Sequence, residues 1–140
     1  MRGIADKKHV YTMIGSTRPY GVSLMFAGYD STMGFQLYCS DPSGNYAAWR
    51  ANATGKNAVN ARTTLKDDFN EELTLNEATI LAAKVLGKSM DLSKPDADRF
   101  EIGVITKDSA GAVVQRNVEG DELNAILENS KIFEEEESKK

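Results

Sequence analysis

The chain has little of what several classes of protein require. Its 140 residues include one cysteine, Cys39, and one histidine, His9. A single cysteine cannot form an internal disulfide bond, which favours a reducing compartment. One cysteine and one histidine also fall short of the four ligands of a structural zinc site. No apolar stretch approaches the roughly 20 residues that span a bilayer, and the first residues have no apolar core of the signal-peptide kind. We therefore expect no membrane partner.

The charge balance excludes another class of partner. The sequence holds 17 Lys and Arg against 21 Asp and Glu, a formal net charge of -4. Nucleic-acid binding requires basic patches that contact phosphates, so we expect no nucleic-acid partner. Part of the acidic excess lies at 134–137, in a tail over 134–140 that we expect to be disordered and solvent-exposed.

Between residues 18 and 54 the sequence predicts three strands joined by very short turns. We place these strands at 20–29, 34–40 and 45–54. The turn at 41–44 has the sequence Asp-Pro-Ser-Gly, which is typical of a type I turn. Connections this short require antiparallel neighbours, so the strands form a meander. The first strand is apolar at both odd and even positions, a pattern typical of a strand that is covered on both faces.

The remaining pattern predicts four helices and a second strand pair. The helices are predicted at 1–14, 57–69, 75–90 and 120–132, and the strands at 99–106 and 112–118. The helix at 75–90 has the clearest start, because Thr74 and Glu77 form a capping box. Helices and strands are segregated along the chain, which predicts an α+β fold with antiparallel sheets. We assign one domain to residues 1–133.

Several short motifs in fixed order and spacing carry a family resemblance. They are Arg-Pro-Tyr-Gly-Val at 18–22, Ala-Gly-Tyr-Asp at 27–30, Gly-Phe-Gln-Leu-Tyr at 34–38 and Asp-Pro-Ser-Gly at 41–44. Together they resemble the central block of proteasome alpha-type subunits, and residues 34–49 resemble the type-4 group in particular. A complete alpha subunit is nearly twice this long, so the chain resembles only the C-terminal half of one.

The resemblance implies both a fold and a function. The implied fold is part of a four-layer α-β-β-α sandwich, which proteasome subunits share with N-terminal-nucleophile hydrolases. The implied function is a non-catalytic structural subunit in the alpha ring of the 20S core particle, supporting ring assembly and ubiquitin- and ATP-dependent protein degradation in the cytoplasm and nucleus. The implied partners are other alpha subunits in a heptameric ring and beta subunits. No catalytic residue, cofactor, metal or small-molecule ligand is expected.

Two other functions stay open. An active N-terminal-nucleophile hydrolase needs Thr, Ser or Cys as its first residue, whereas this sequence begins Met-Arg-Gly. Cys39 and His9 are the other nucleophile–base candidates, but a lone strand cysteine is more often a small core residue. The second alternative is an α+β binding module that self-associates through an exposed sheet. The large side chains expected to be partly bare on that sheet are Phe35, Tyr38, Tyr46 and Trp49.

The other motifs have less specific interpretations. The carboxylates at 96–98 and Glu101 lack the glycine turn and the later Glu of a calcium loop, and Gly55 and Lys56 lack the spacing of a phosphate-binding loop. The sequence Asn-Ala-Thr at 52–54 matches a glycosylation acceptor, which we expect to be unused. In the 18–22 motif we expect Pro19 to end the first helix and Gly21 to allow close backbone packing.

Overall fold

The computed structural model describes residues 1–15, 17–90 and 97–130. The helices are α1 (Arg2–Met13), α2 (Ala58–Asp68), α3 (Leu75–Met90) and α4 (Gly120–Asn129). The strands are β1 (Leu24–Asp30), β2 (Gly34–Ser40), β3 (Tyr46–Trp49), β4 (Ile102–Lys107) and β5 (Val113–Val118), and Ala97–Arg99 forms a 3₁₀ turn. Every strand pair is antiparallel, so the predicted α+β class is confirmed.

The chain divides into two compact units, residues 1–55 and 56–140. The assignment of one domain to residues 1–133 stays a prediction. Its boundary with the acidic tail at 134–140 and the predicted end of the last helix lie outside the described residues. No helix in the described ranges is long and apolar enough to cross a membrane.

The first unit contains α1 and a three-stranded meander in the order β1-β2-β3. β1 pairs with β2 from Leu24 opposite Ser40 to Asp30 opposite Gly34. β2 pairs with β3 from Leu37 opposite Trp49 to Ser40 opposite Tyr46. The predicted meander is therefore confirmed.

The turn between β2 and β3 is held by its own side chains. The Asp41 carboxylate accepts hydrogen bonds from the Ser43 hydroxyl at 2.6 Å and from the backbone N–H groups of Ser43 and Asn45 at 2.8 and 3.1 Å. The bond from the Ser43 side chain is the main cause that lowers the pKa of Asp41 below its ordinary value of 3.8. Gly44 completes the turn with a φ of +92°, a backbone conformation that favours glycine.

Two strands of the meander are shorter than predicted, for different reasons. β1 begins at Leu24 rather than at residue 20, since Leu24 pairs with Ser40, the last residue of β2. β3 ends at Trp49 rather than at residue 54. Beyond β3 the Asn52 side chain accepts a hydrogen bond from the N–H of Ala53 at 2.8 Å, a local bond that competes with strand pairing.

The start of the chain also differs from the prediction. The helix ends at Met13, with Ile14 at the C-cap in an extended conformation, so Pro19 lies too far along the chain to end it. Its buried residues are Ala5 and Lys8, whereas Ile4 is exposed. A Cβ placed on Gly21 would have nothing within 4 Å. The prediction that Gly21 allows close backbone packing is therefore wrong.

The second unit has its own apolar core, formed where α3 and α4 meet the β4-β5 hairpin. Its buried members are Ala83, Phe100, Val104, Val118, Leu123, Ile126 and Leu127. The buried residues of α4 are Leu123, Ile126 and Leu127. The buried residues of α3 are Ala83, Val85 and Gly87, whereas Leu86 is 41% exposed.

Both ends of α3 are capped by side chains. At the start, the N–H of Glu77 donates to the Thr74 hydroxyl at 3.3 Å, and the N–H of Thr74 donates to the Glu77 carboxylate at 2.8 Å. The predicted capping box is confirmed. At the other end, the Asn57 side-chain amide donates to the carbonyl of Ser89 at 2.8 Å. Asn57 occupies the N-cap position of α2 without a side-chain cap bond of its own, so it satisfies a terminal carbonyl of α3 instead.

Candidate functional site

The pairing register divides the side chains of the meander between two faces. Residues directly opposite each other in an antiparallel sheet point to the same face, and neighbours along a strand point to opposite faces. The register places Leu24, Phe26, Tyr38, Ser40 and Tyr46 on one face, which we call the helix-side face. It places Met25, Ala27, Tyr29, Phe35, Leu37, Cys39, Ala47 and Trp49 on the other, which we call the apolar face.

A buried lysine of α1 contacts the helix-side face. The Lys8 side chain is 2% exposed, and its ammonium group donates to the hydroxyl of Ser40 at 2.8 Å and to the carbonyls of Val22 and Asp41 at 2.8 and 3.1 Å. All three ammonium hydrogens therefore have an acceptor. The single side chain joins α1, the segment before β1 and the turn after β2.

The turn between β2 and β3 approaches α1 closely. A Cβ placed on Gly44 would lie 2.5 Å from the carbonyl oxygen of Ala5 and 2.9 Å from the backbone nitrogen of His9. Only glycine fits such a contact. The helix thus contacts the end of the helix-side face at Ser40 and the adjoining turn, through a lysine and a backbone contact that require these residue types.

Among the residues that the structure describes, none covers the apolar face in a comparable way. Five of its eight residues are exposed, three are half-buried and none is buried. Phe35 is 52% exposed, Trp49 45% and Met25 38%. None of the eight carries a charge. A contiguous apolar surface of this kind on a folded chain indicates an interaction site.

The exposures correct one prediction and confirm another. The expectation that the first strand is covered on both faces is wrong for this chain, since Met25 and Ala27 are exposed. The expectation that the large side chains of the meander are partly bare is confirmed. The register adds that Phe35 and Trp49 lie on the apolar face, whereas Tyr38 and Tyr46 lie on the other, with their rings 6.2 Å apart.

The structure does not bring the nucleophile and base candidates together. Cys39 lies on the apolar face, opposite to the face that α1 contacts, whereas His9 is an exposed residue of α1. The Cys39 sulfur accepts a hydrogen bond from the Asn52 side-chain amide at 3.2 Å. The same amide nitrogen is the acceptor atom of the glycosylation motif at 52–54, so it is already engaged.

The other candidates remain separate residues. Glu101 is exposed and Asp98 lies in the 3₁₀ turn Ala97–Arg99, while Asp96 lies outside the described residues. In the described ranges no group of three or more His, Cys, Asp and Glu could hold a metal ion. Gly55 has a φ of +106°, a backbone conformation that favours glycine.

The motif at 18–22 contributes to the fold near α1. The rings of Tyr20 and Tyr11 lie 4.9 Å apart, and the Val22 carbonyl accepts from Lys8. These contacts agree with the expectation that the motif serves the fold. They do not involve the roles predicted for Pro19 and Gly21. Helical spacing places Lys8 on one stripe with Ile4 and Tyr11, but sequence reasoning did not predict that its ammonium group is buried against the sheet.

Comparison with known proteins identifies relatives of this chain. A family model described as "Proteasome subunit" matches residues 1–105. The rice (Oryza sativa subsp. indica) protein "Proteasome subunit alpha type-4-2" is 44% identical over 118 residues, which are 84% of this chain and 47% of the relative. The spinach (Spinacia oleracea) protein "Proteasome subunit alpha type-4" is 39% identical over 130 residues, 93% of this chain and 52% of the relative.

A more distant relative agrees. "Probable proteasome subunit alpha type-3" of Schizosaccharomyces pombe is 36% identical over 128 residues, 91% of this chain and 52% of the relative. The chain therefore spans about half the length of the curated relatives that it matches.

Proposed function

This chain belongs to the proteasome subunit family, and from that premise we propose that it acts as a structural, alpha-type subunit of the 20S proteasome core particle. Its role is to occupy a position in the alpha ring and so to support ring assembly and protein degradation. Its partners in that role are neighbouring alpha subunits of a heptameric ring and beta subunits. The corresponding locations are the cytoplasm and the nucleus.

The observation that carries the proposal is the bare apolar face. The relatives are about twice as long as this chain, and the family resemblance implies a second sheet packed against the first. Sheets pack face to face at about 10 Å through apolar side chains. The apolar face has the chemistry of such an inner layer, so we propose that the remainder of an alpha subunit covers it in the particle.

We also propose that the chain is non-catalytic. This rests on its similarity to alpha-type relatives. It is further supported by the position of Cys39, whose sulfur accepts a hydrogen bond from the Asn52 side chain and lies across the sheet from the helix that carries His9. A nucleophile needs a base within hydrogen-bond reach, and this pair lacks that arrangement.

Incorporation into core particles tests the proposal. The tagged full chain, expressed in cells that contain proteasomes, should sediment on a gradient with assembled core particles. An Ala27→Glu variant places a charge on the apolar face and should be depleted from those fractions. The matched control is Met33→Glu, because Met33 is 71% exposed in the turn between β1 and β2 and lies outside both paired faces. This variant should still incorporate.

Two results would overturn the proposal. One is a wild-type chain that sediments only away from core particles at every expression level. The other, which concerns catalysis alone, is hydrolysis of fluorogenic peptides by the purified chain with no particle present.

A further inference from the structure

We propose that the apolar face also binds a second copy of this chain, so that two purified chains pair face to face about a two-fold axis. This goes beyond the ring role, since it concerns the chain when no other proteasome subunit is present. It uses the same surface. The two states therefore exclude each other, and pairing is a property that the chain loses when it enters a particle.

The chemistry of the face allows self-pairing. Its eight residues carry no charge, so two copies meet without like-charge repulsion, although each chain has a formal net charge of -4. An uncharged apolar surface is complementary only to another apolar surface. In a solution of this chain alone, the same face of another copy meets that requirement.

The arrangement of small and large side chains on the apolar face is also suited to packing against a second sheet. The register sets the small residue Ala27 beside Leu37 and Trp49 in one row across the sheet, and Cys39 beside Met25 and Ala47 in the next. One row therefore combines one small and two large side chains, and the next combines one large and two small ones. Two aligned sheets can therefore interdigitate their side chains at the usual spacing of about 10 Å.

The small area of the apolar face predicts weak association between two copies. The exposed surface of the eight side chains on the apolar face adds up to about 500 Å² per copy. This value takes about 150–250 Å² as the area that a fully buried aromatic residue removes from water. Two copies would bury on the order of 1,000 Å², which is near the lower limit for a specific interface. We therefore expect reversible pairing with a dissociation constant that is micromolar or weaker.

Sedimentation of the purified full chain over a concentration series tests the pairing. We expect a monomer at low concentration and a closed dimer at high concentration. Ala27→Glu should weaken the association at least about tenfold, because pairing would bury an unpaired charge. Met33→Glu adds the same charge away from the face and should pair like the wild type. Ala27 is exposed in the chain itself, so its replacement leaves the core intact, which circular dichroism can verify.

The chain provides two built-in reporters of the interface. Cys39 and Trp49 are its only cysteine and its only tryptophan, and both lie on the apolar face. As the dimer forms, Trp49 emission should shift to shorter wavelength and Cys39 should react more slowly with a maleimide. Ala27→Glu should remove both changes.

Three results would overturn the pairing proposal. They are a monomer at every concentration up to the millimolar range, open-ended aggregation without a dimer plateau, and a dimer that Ala27→Glu leaves as tight as the wild type. None of these bears on incorporation into core particles, which is read from cells. A chain that incorporates without pairing would therefore leave the proposed function standing, and one that pairs without incorporating would leave only the dimer.

Discussion

At the scale of single residues, the first unit depends on Lys8 for polar contacts and on Gly44 for a close backbone contact. Lys8 brings a cation into a place that is almost closed to water, where its acceptors are two carbonyls and a hydroxyl. Burying a charged group costs free energy unless its hydrogen bonds are satisfied. The lysine is therefore tolerated only because all three bonds form.

Lys8→Met tests this role. The substitution keeps the length of the side chain but leaves the Val22 carbonyl, the Ser40 hydroxyl and the Asp41 carbonyl without their donor. We expect the free energy of unfolding in urea to fall by about 3 kcal/mol. Lys7→Met, at the exposed neighbouring position, should change it by less than about 0.5 kcal/mol. Equal effects of the two variants would contradict the role of Lys8.

Gly44 allows a second test at this scale. Gly44→Ala adds a methyl group to a position that is both left-handed and in contact with the backbone of α1. We expect a loss of about 3 kcal/mol or more in the free energy of unfolding. Gly34→Ala is the matched control, because Gly34 has a φ of +78° with nothing within 4 Å of the added atom. It should cost only about 1 kcal/mol. A similar cost at both positions would mean that the turn does not press against α1.

At the scale of helices and strands, the sequence predicted elements best where a local signal marks the ends. α3 has the predicted bounds of 75–90, because the Thr74–Glu77 capping box fixes its start. β1 was predicted too long, because its start depends on where its partner β2 ends rather than on its own apolar pattern. β3 was also predicted too long, and beyond its end the Asn52 side chain forms a local hydrogen bond with the backbone. Which side chains share a face of the meander could be assigned only from the pairing register between strands. The periodicity within one strand does not determine that register.

The capping box of α3 predicts a pH effect. Hydrogen bonds from the hydroxyl and then the N–H of Thr74 hold the pKa of Glu77 below its ordinary value of 4.5. A carboxylate whose pKa is lower in the folded state than in the unfolded state stabilises the fold at pH values above its unfolded pKa. That stabilisation is lost as the pH falls through the folded-state pKa. Stability should therefore decline as the pH falls below about 4.5, and the lowered pKa values of Asp41 and Glu122 contribute in the same direction.

Thr74→Ala isolates the contribution of the capping box. It removes the hydroxyl that has the largest effect on the pKa of Glu77, so the decline between about pH 5 and pH 3 should become shallower. The urea midpoint at pH 7 should also fall, since an N-cap is lost. Thr74→Ser keeps the hydroxyl and should retain the wild-type profile. An unchanged slope in Thr74→Ala would contradict the prediction.

At the scale of the whole molecule, the chain spans about half the length of its curated relatives. In its first unit, α1 contacts one face of the meander at Ser40, and the opposite face is apolar and largely exposed. The family could be predicted from sequence, because the motifs at 18–22, 27–30, 34–38 and 41–44 keep their order and spacing. The position of Trp49 on the bare face could not, since it follows from the pairing of Trp49 with Leu37.

The most direct test of the bare face is Trp49→Ala in dilute solution, where the chain is expected to be monomeric. Trp49 is 45% exposed, so roughly half of its surface still contacts the chain, and its removal should lower the free energy of unfolding, followed by circular dichroism, by about 2 kcal/mol. The same substitution should weaken pairing at high concentration several-fold. A loss of 3–5 kcal/mol in the dilute monomer, the cost of removing a fully buried tryptophan, would show that the chain covers this face itself and would contradict the account.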